Sequence, residues 1–249
     1  MLVEEYREIN KISFAELEKV WKKIRNDVLV IGGWAAHFLS NNQFRSWKGI
    51  DYIGSKDIDI GIRGRDIEIV TRKLEELGYV PINFRFYKIF DRSTKKPVEE
   101  KIAKKLPLFE VFYLYVDVIL DEKVKTETIF FSDPLIKFCF ENDAWVKIDS
   151  FKVIRPELLV LTKLRILDNR DEEKRIKDIL DCIFVLNFSN FDPNFFQEIS
   201  SMYKISKRNE KIALNVLNSH QIEMELSSLR FDVDEIQNVR TTFMSALKL

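Results

Sequence analysis

The stretch Gly54-Ser55-Lys56-Asp57-Ile58-Asp59-Ile60-Gly61-Ile62 sets two aspartates one residue apart in an otherwise apolar run. In an extended strand successive side chains point to opposite faces, so Asp57 and Asp59 stand side by side on one of them. Neighbouring carboxylates repel, and each raises the other's pKa unless a positive charge lies between them. A strand over residues 57–62 therefore predicts a bound cation.

Upstream, Val28-Leu29-Val30-Ile31 reads as a short buried strand that runs into Gly32-Gly33, with a helix from Trp34 to Leu39. A glycine pair between a strand and a helix lets backbone N–H groups approach an anion closely, helped by the helix N-terminus. Gly32 and Gly33 are thus candidates to hold the outer phosphates of a nucleoside triphosphate, with the Ser55 hydroxyl joining the same cluster. A third carboxylate, Asp117, lies in the apolar run Val111–Leu120. A buried unpaired carboxylate is expensive, so Asp117 should meet a partner charge or a metal. If its strand lies beside the Asp57–Asp59 strand, three carboxylates converge. That donor set suits Mg²⁺, a hard cation that shares its coordination with water and phosphates, in phosphoryl or nucleotidyl transfer.

The remaining pattern predicts an α/β fold. Residues 41–55 read as a polar loop, and Asp66–Leu77 as an amphipathic helix stopped by Gly78. Strands are expected over Ile82–Phe90, Phe109–Leu120, Trp145–Ile148 and Phe151–Ile154, forming a mixed sheet. Ser13-Phe14-Ala15-Glu16 has the form of a capping box. From Pro156 the chain is helical, with starts at Pro156, Asp171, Asp192-Pro193 and Asp232. The change of period divides the chain into a core over residues 1–152 and a helical domain over 153–249.

In this order, "VLVIGGWAAHFL", "GSKDIDIGI" and "LYVDVIL" resemble the DNA polymerase beta-like nucleotidyltransferase superfamily, over roughly residues 28–120. The resemblance implies metal-ligand and catalytic roles for Asp57, Asp59 and Asp117, and triphosphate contacts for Gly32 and Gly33. The GG-Trp-Ala form is similar to a subset that includes antibiotic nucleotidyltransferases and the AbiEii toxin family. Trp34 stands where many members have Ser or Thr, and Ile53 where many relatives have Arg, which leaves Arg45 or Lys56 as substitutes.

The segment "LLVLTKLRILDNRDEEKRIKDILDCIFVL" resembles the AbiEii type. By that resemblance Lys163 and Asp178 or Asp181 face the nucleotide from the helical domain, which closes over it. Lys163, Arg170, Lys174, Lys177 and Asp181 also follow one another at helical spacing, with a break possible near Asn169.

Composition limits the partners. The 249 residues include 20 Phe and have zero formal net charge, which describes a folded protein and not a strongly basic nucleic-acid binder. Between Arg85 and Lys105, however, eight basic residues stand against three acidic ones, a local strip suited either to a surface hairpin or to RNA phosphates. Cys139 and Cys182 match no metal or redox spacing and are expected as buried thiols. His37 and His220 are expected to be structural. No apolar run approaches the length of a membrane span, and Met1-Leu2-Val3-Glu4-Glu5 has no signal-peptide core, so a cytoplasmic protein is expected.

The function expected is Mg²⁺-dependent transfer of a nucleoside monophosphate from a nucleoside triphosphate. The resemblance makes RNA, tRNA in particular, the acceptor and an antitoxin a possible partner. Two rivals are a small-molecule transferase of the antibiotic type and a catalytically silent nucleotide- or protein-binding member of a toxin–antitoxin-like pair.

Overall fold

The computed structural model describes residues 2–25, 28–125 and 129–248. In chain order the elements are α1 (Leu2–Ile24), β1 (Val28–Val30), α2 (Gly32–Lys48), β2 (Ile58–Ile62), α3 (Ile67–Glu76), β3 (Val80–Ile82) and β4 (Arg85–Asp91). Then come α4 (Glu100–Ala103), β5 (Val111–Leu120), β6 (Phe131–Ser132), α5 (Pro134–Glu141), β7 (Trp145–Ile148) and β8 (Phe151–Ile154). The rest is helical: α6 (Pro156–Arg165), α7 (Glu172–Phe188), α8 (Pro193–Met202), α9 (Lys207–Leu217), α10 (His220–Ser228) and α11 (Val233–Leu247).

Two compact units divide these elements. One contains Tyr6–Ile31 and Gly54–Lys152; the other contains Met1–Glu5, Gly32–Ile53 and Val153–Leu249. The chain therefore passes between units at 5/6, 31/32 and 53/54 as well as at 152/153, and residues 32–53 cluster with the C-terminal helices.

The first unit is built on the mixed α/β sheet, ordered β3-β4-β5-β2-β1-β8-β7 with β6 beside β5. β2 and β5 run parallel, whereas β1–β2, β4–β5 and β3–β4 are antiparallel. Ile58, Ile60 and Ile62 share one face of β2 and are fully buried, as are Val116 and Val118 opposite them. Each such residue contributes about 1.5–3 kcal/mol by leaving water. On the other face of β2, α5 sits directly over Gly61. A Cβ there would meet Ile136 at 3.1 Å, so glycine is what lets the helix approach.

In the second unit α7 is the centre, with every residue from Ile176 to Leu186 buried. The helices α2, α6, α9, α10 and α11 pack against it. Asp171, Asp192 and Asp232 each cap a helix with the side chain, as expected, and Asp232 forms a capping box with Glu235. Gly78 ends α3 at φ +84°; its N–H reaches Glu75 O and that of Tyr79 reaches Leu74 O, the paired bonds of a Schellman turn.

The structure corrects several expectations. Ser13–Glu16 is no helix start, because α1 begins well upstream and Ile9 and Ile12 give its earlier turns a buried face. The helix after Gly32 continues through the supposed loop to Lys48, anchored by Phe44, which packs on Phe184 and Phe231. Residues 82–90 are not one strand. Asn83, at φ +52°, and Phe84 form a two-residue turn between β3 and β4. The helix α5 and the short α4 have no counterpart in the sequence reading. Cys139 and Cys182 are buried free thiols. Among the described residues no helix is long and apolar enough to cross a membrane.

Candidate functional site

Strand register places the acidic residues of the first unit. Asp59 on β2 pairs with Asp117 on the parallel β5, and Asp117 pairs with Arg85 on the antiparallel β4. The three residues thus form a row across three strands, one strand spacing of about 4.8 Å apart. Asp57 lies in the bend just before β2, half-buried. The carbonyl of Asp59 accepts the N–H of Ile31, which ties β1 to this end of β2.

In the sequence Arg85 is one member of the basic strip; in the fold it grips Asp117. Its Nε donates to Asp117 Oδ1 at 2.7 Å and its Nη2 to Oδ2 at 2.5 Å, a two-pronged contact between side chains 26% and 23% exposed. Burial pulls the guanidinium pKa down, but Asp117, Asp57 and Asp59 together outweigh it and hold the pKa above the ordinary value. All three carboxylates therefore act on one cation. Among the described residues, no three acidic, His or Cys side chains are gathered tightly enough to hold a metal as they stand. The donor set fits Mg²⁺ in kind, being all carboxylate oxygen, while the guanidinium supplies the countercharge. The expectation that Asp117 needs a partner charge is met by Arg85, which register alone brings within reach and which no sequence spacing announces.

Ser55 is buried in the segment leading to β2. Gly32 and Gly33 open α2 in the other unit; Gly32 adopts φ +62°, and the first turn of the helix carries no acid.

That unit also gathers Lys163, Asp178 and Asp181. A short turn over Leu167–Asn169 breaks the helix where the sequence allowed, so Lys163 on α6 meets α7 across a gap and not along one continuous face. Lys163 Nζ lies 2.6 Å from Asp178 Oδ1 and 2.8 Å from Asp181 Oδ2. Lys177 Nζ and the Tyr52 hydroxyl both donate to Asp181 Oδ1 at 2.5 Å, and Arg170 Nε donates to Asp178 Oδ2 at 3.2 Å. Burial alone would discharge Lys163, but Asp178 and Asp181 reverse that and raise its pKa. Asp181 is lowered, since the two lysines outweigh its burial. Lys177 is lowered by burial and by repulsion from Lys163. Tyr52, which the sequence did not single out, is positioned by stacking on Phe184 with ring centroids 3.8 Å apart. His37 is half-buried with Nδ1 2.9 Å from the Tyr52 carbonyl, and desolvation lowers its pKa, as suits a structural histidine.

No family model matches the chain, and no curated protein matches it. Solved structures similar to it include two of one enzyme. The solution structure of the antibiotic-resistance factor ANT(2'')-Ia is 10% identical, covers 83% of this chain and 95% of its own, and has a TM-score of 0.41. The crystal structure of ANT(2'')-Ia in complex with adenylyl-2''-tobramycin is 9% identical, covers 95% and 98%, and has a TM-score of 0.33. Similarity this loose fixes neither fold nor chemistry, which rest on the residues above.

Proposed function

We propose that this chain is a nucleotidyltransferase that moves a nucleoside monophosphate from a nucleoside triphosphate to an acceptor hydroxyl and releases pyrophosphate. The observation that carries the reading is the register that sets Asp59 on β2 beside Asp117 on β5, with Asp57 just before β2 and Arg85 joined to Asp117. With Arg85 turned away, the three carboxylates would hold Mg²⁺, which would activate the acceptor hydroxyl and neutralise the leaving pyrophosphate. Asp117, released from Arg85, would also help deprotonate that hydroxyl. The backbone N–H groups of Gly32 and Gly33 would receive triphosphate oxygens at the N-terminus of α2, a 17-residue helix with no acid in its first turn. The Ser55 hydroxyl would join them. Lys163, Asp178 and Asp181 would contact the nucleotide from the helical domain at 153–249, the core being 1–152. Supporting this, Lys163, Lys177 and Arg170 against Asp178 and Asp181 leave one positive charge in surplus, which suits an anionic ligand.

The finer reading is an AbiEii-like enzyme of the cytoplasm, acting on tRNA or another RNA and restrained by an antitoxin partner. It rests on the resemblance of the motifs, and on the exposed cations Arg92, Lys95, Lys96, Lys101, Lys104 and Lys105. A second reading makes a small hydroxylated molecule the acceptor, the chemistry that the adenylyl-2''-tobramycin complex represents for ANT(2'')-Ia. What favours it here is that Arg85, Lys88 and Lys104 are held by Asp117, Glu16 and Glu100, so the basic strip is weaker than its composition.

The test is incubation with each labelled triphosphate, Mg²⁺ and total RNA. Label on RNA supports the first reading. Pyrophosphate release that requires a small hydroxylated molecule supports the second. No turnover under any of these conditions contradicts both and leaves the catalytically silent alternative.

A further inference from the structure

The face of the sheet that carries Asp59, Asp117 and Arg85 continues away from them as aromatic surface. In the next pair on that face Tyr115 on β5 lies opposite Tyr87 on β4, and in the one beyond it Tyr113 lies opposite Ile89. All three tyrosines are half-exposed. The Tyr113 and Tyr115 rings are close to parallel, 20° apart with centroids at 6.5 Å, and Tyr87 lies 6.0 Å from Tyr113. The Arg85 guanidinium lies 4.2 Å from the Tyr115 ring, which joins this aromatic row to the carboxylates.

Packing explains only part of the row. Tyr87 and Tyr113 rest against a small cluster of Ile89, Ala103 and Val111, and the Tyr87 hydroxyl donates to Glu100 at 3.3 Å. Among the described residues, the hydroxyls of Tyr113 and Tyr115 have no hydrogen-bond partner. A strand whose alternate positions were only covering a core would hold aliphatic side chains equally well. Three half-exposed aromatic rings, two of them with unbonded hydroxyls, leading into a carboxylate site, are suited to stacking.

Charge selects what stacks there. Ala103 of α4 packs in the cluster that Tyr87 and Tyr113 rest against, so the exposed Lys101, Lys104 and Lys105 of that segment stand near these rings, with Arg85 at the Tyr115 end. These four cations stand against Asp117, Glu99 and Glu100, a surplus of one positive charge. A positive border beside aromatic rings is the composition of surfaces that bind single-stranded nucleic acid: cations follow the phosphates and rings take the bases.

We propose that Tyr115, Tyr87 and Tyr113 form a stacking platform for unpaired bases of a nucleic-acid acceptor, delivering its end to the row of Asp59, Asp117 and Arg85. The proposal rests on the transferase reading for its purpose, but the binding it describes needs neither triphosphate nor metal.

The experiment measures fluorescence anisotropy of a labelled 12-nucleotide single-stranded RNA, without triphosphate or Mg²⁺, alongside the same strand annealed to its complement. The variants are Tyr115→Leu with Tyr113→Leu, which keep apolar bulk, and Tyr115→Phe with Tyr113→Phe, which keep the rings; circular dichroism monitors folding. The leucine pair should weaken single-strand binding by about tenfold or more, as expected for loss of base stacking, with the phenylalanine pair close to wild type and the duplex bound more weakly. Equal affinity of wild type and the folded leucine pair, or no binding of single-stranded RNA by wild type, overturns the proposal. If the leucine pair does not fold, the phenylalanine pair competed with a strand of abasic sites decides. Abasic RNA should bind about tenfold more weakly than normal RNA, and equal binding overturns the platform. Pyrophosphate release is measured separately. Turnover without RNA binding removes the platform and keeps the transferase; ring-dependent RNA binding without turnover does the reverse.

Discussion

Arg85 and Asp117 face each other in register across β4 and β5, joined by hydrogen bonds of 2.7 and 2.5 Å to both carboxylate oxygens. A carboxylate so held has fewer lone pairs to offer a metal, and the guanidinium charge beside it repels one. Arg85→Gln should therefore raise the affinity for Mn²⁺, a hard dication with a spectroscopic signal, on the order of tenfold by removing one nearby positive charge. Titration without nucleotide, followed by electron paramagnetic resonance, measures it. Unchanged or weaker Mn²⁺ binding in the folded variant would show that Arg85 and the metal do not compete.

That pairing also marks where reading the sequence stops. Asp57, Asp59 and Asp117 stand out because carboxylates in apolar runs contradict their surroundings, and the helix starts at Asp171, Asp192 and Asp232 because capping is local chemistry. Arg85 lies 32 residues from Asp117, and only the register of two strands brings them together. The same holds for Tyr52 and Asp181, 129 residues apart. Ser13 and Glu16 misled for the opposite reason: their spacing imitates a cap, but Glu16 is used over long range, by Tyr79 and Lys88.

Glu16 gives a prediction for acid stability. Its side chain is 2% exposed and accepts from Lys19, Tyr79 and Lys88. Burial raises its pKa, but Lys19 and Lys88 prevail and hold it below the ordinary 4.5. The folded state thus binds the proton less well than the unfolded chain, so the stabilisation is complete above about pH 4.5 and fades as pH falls through the folded pKa. Glu16→Gln should lose on the order of 3 kcal/mol at pH 7, since it leaves Lys88 without its charge partner, and much less near pH 3. Urea unfolding at the two pH values checks this; a loss equal at both would contradict it.

Asp181 offers a sharper test of the second unit. Asp181→Asn leaves Lys163 and Lys177 facing one buried carboxylate fewer and should cost about 3–5 kcal/mol. Tyr52→Phe, which deletes only a donor to that carboxylate, should cost about 1.5–3 kcal/mol. Chemical denaturation of the two variants measures both losses, and a change below about 1 kcal/mol for Asp181→Asn would mean the network does not hold α6 to α7.

At the start of α2, Gly32 has φ +62°, so Gly32→Ala should cost roughly 1–2 kcal/mol in backbone strain. Gly33 lies within the helix, and Gly33→Val should weaken nucleotide affinity far more than stability by blocking close backbone approach. Nucleotide titration beside thermal melting separates the effects. Unchanged affinity in folded Gly33→Val would place the phosphates elsewhere.

Pyrophosphate release measures whether the paired aspartates Asp57 and Asp59 carry nucleotidyl transfer. Wild type and Asp59→Asn are compared with Mg²⁺, all four triphosphates, total RNA and a panel of small hydroxylated acceptors, with circular dichroism confirming that both are folded. The account predicts release by wild type and none detectable from Asp59→Asn. Equal release from the folded variant, or none from wild type with any triphosphate and acceptor, would contradict it.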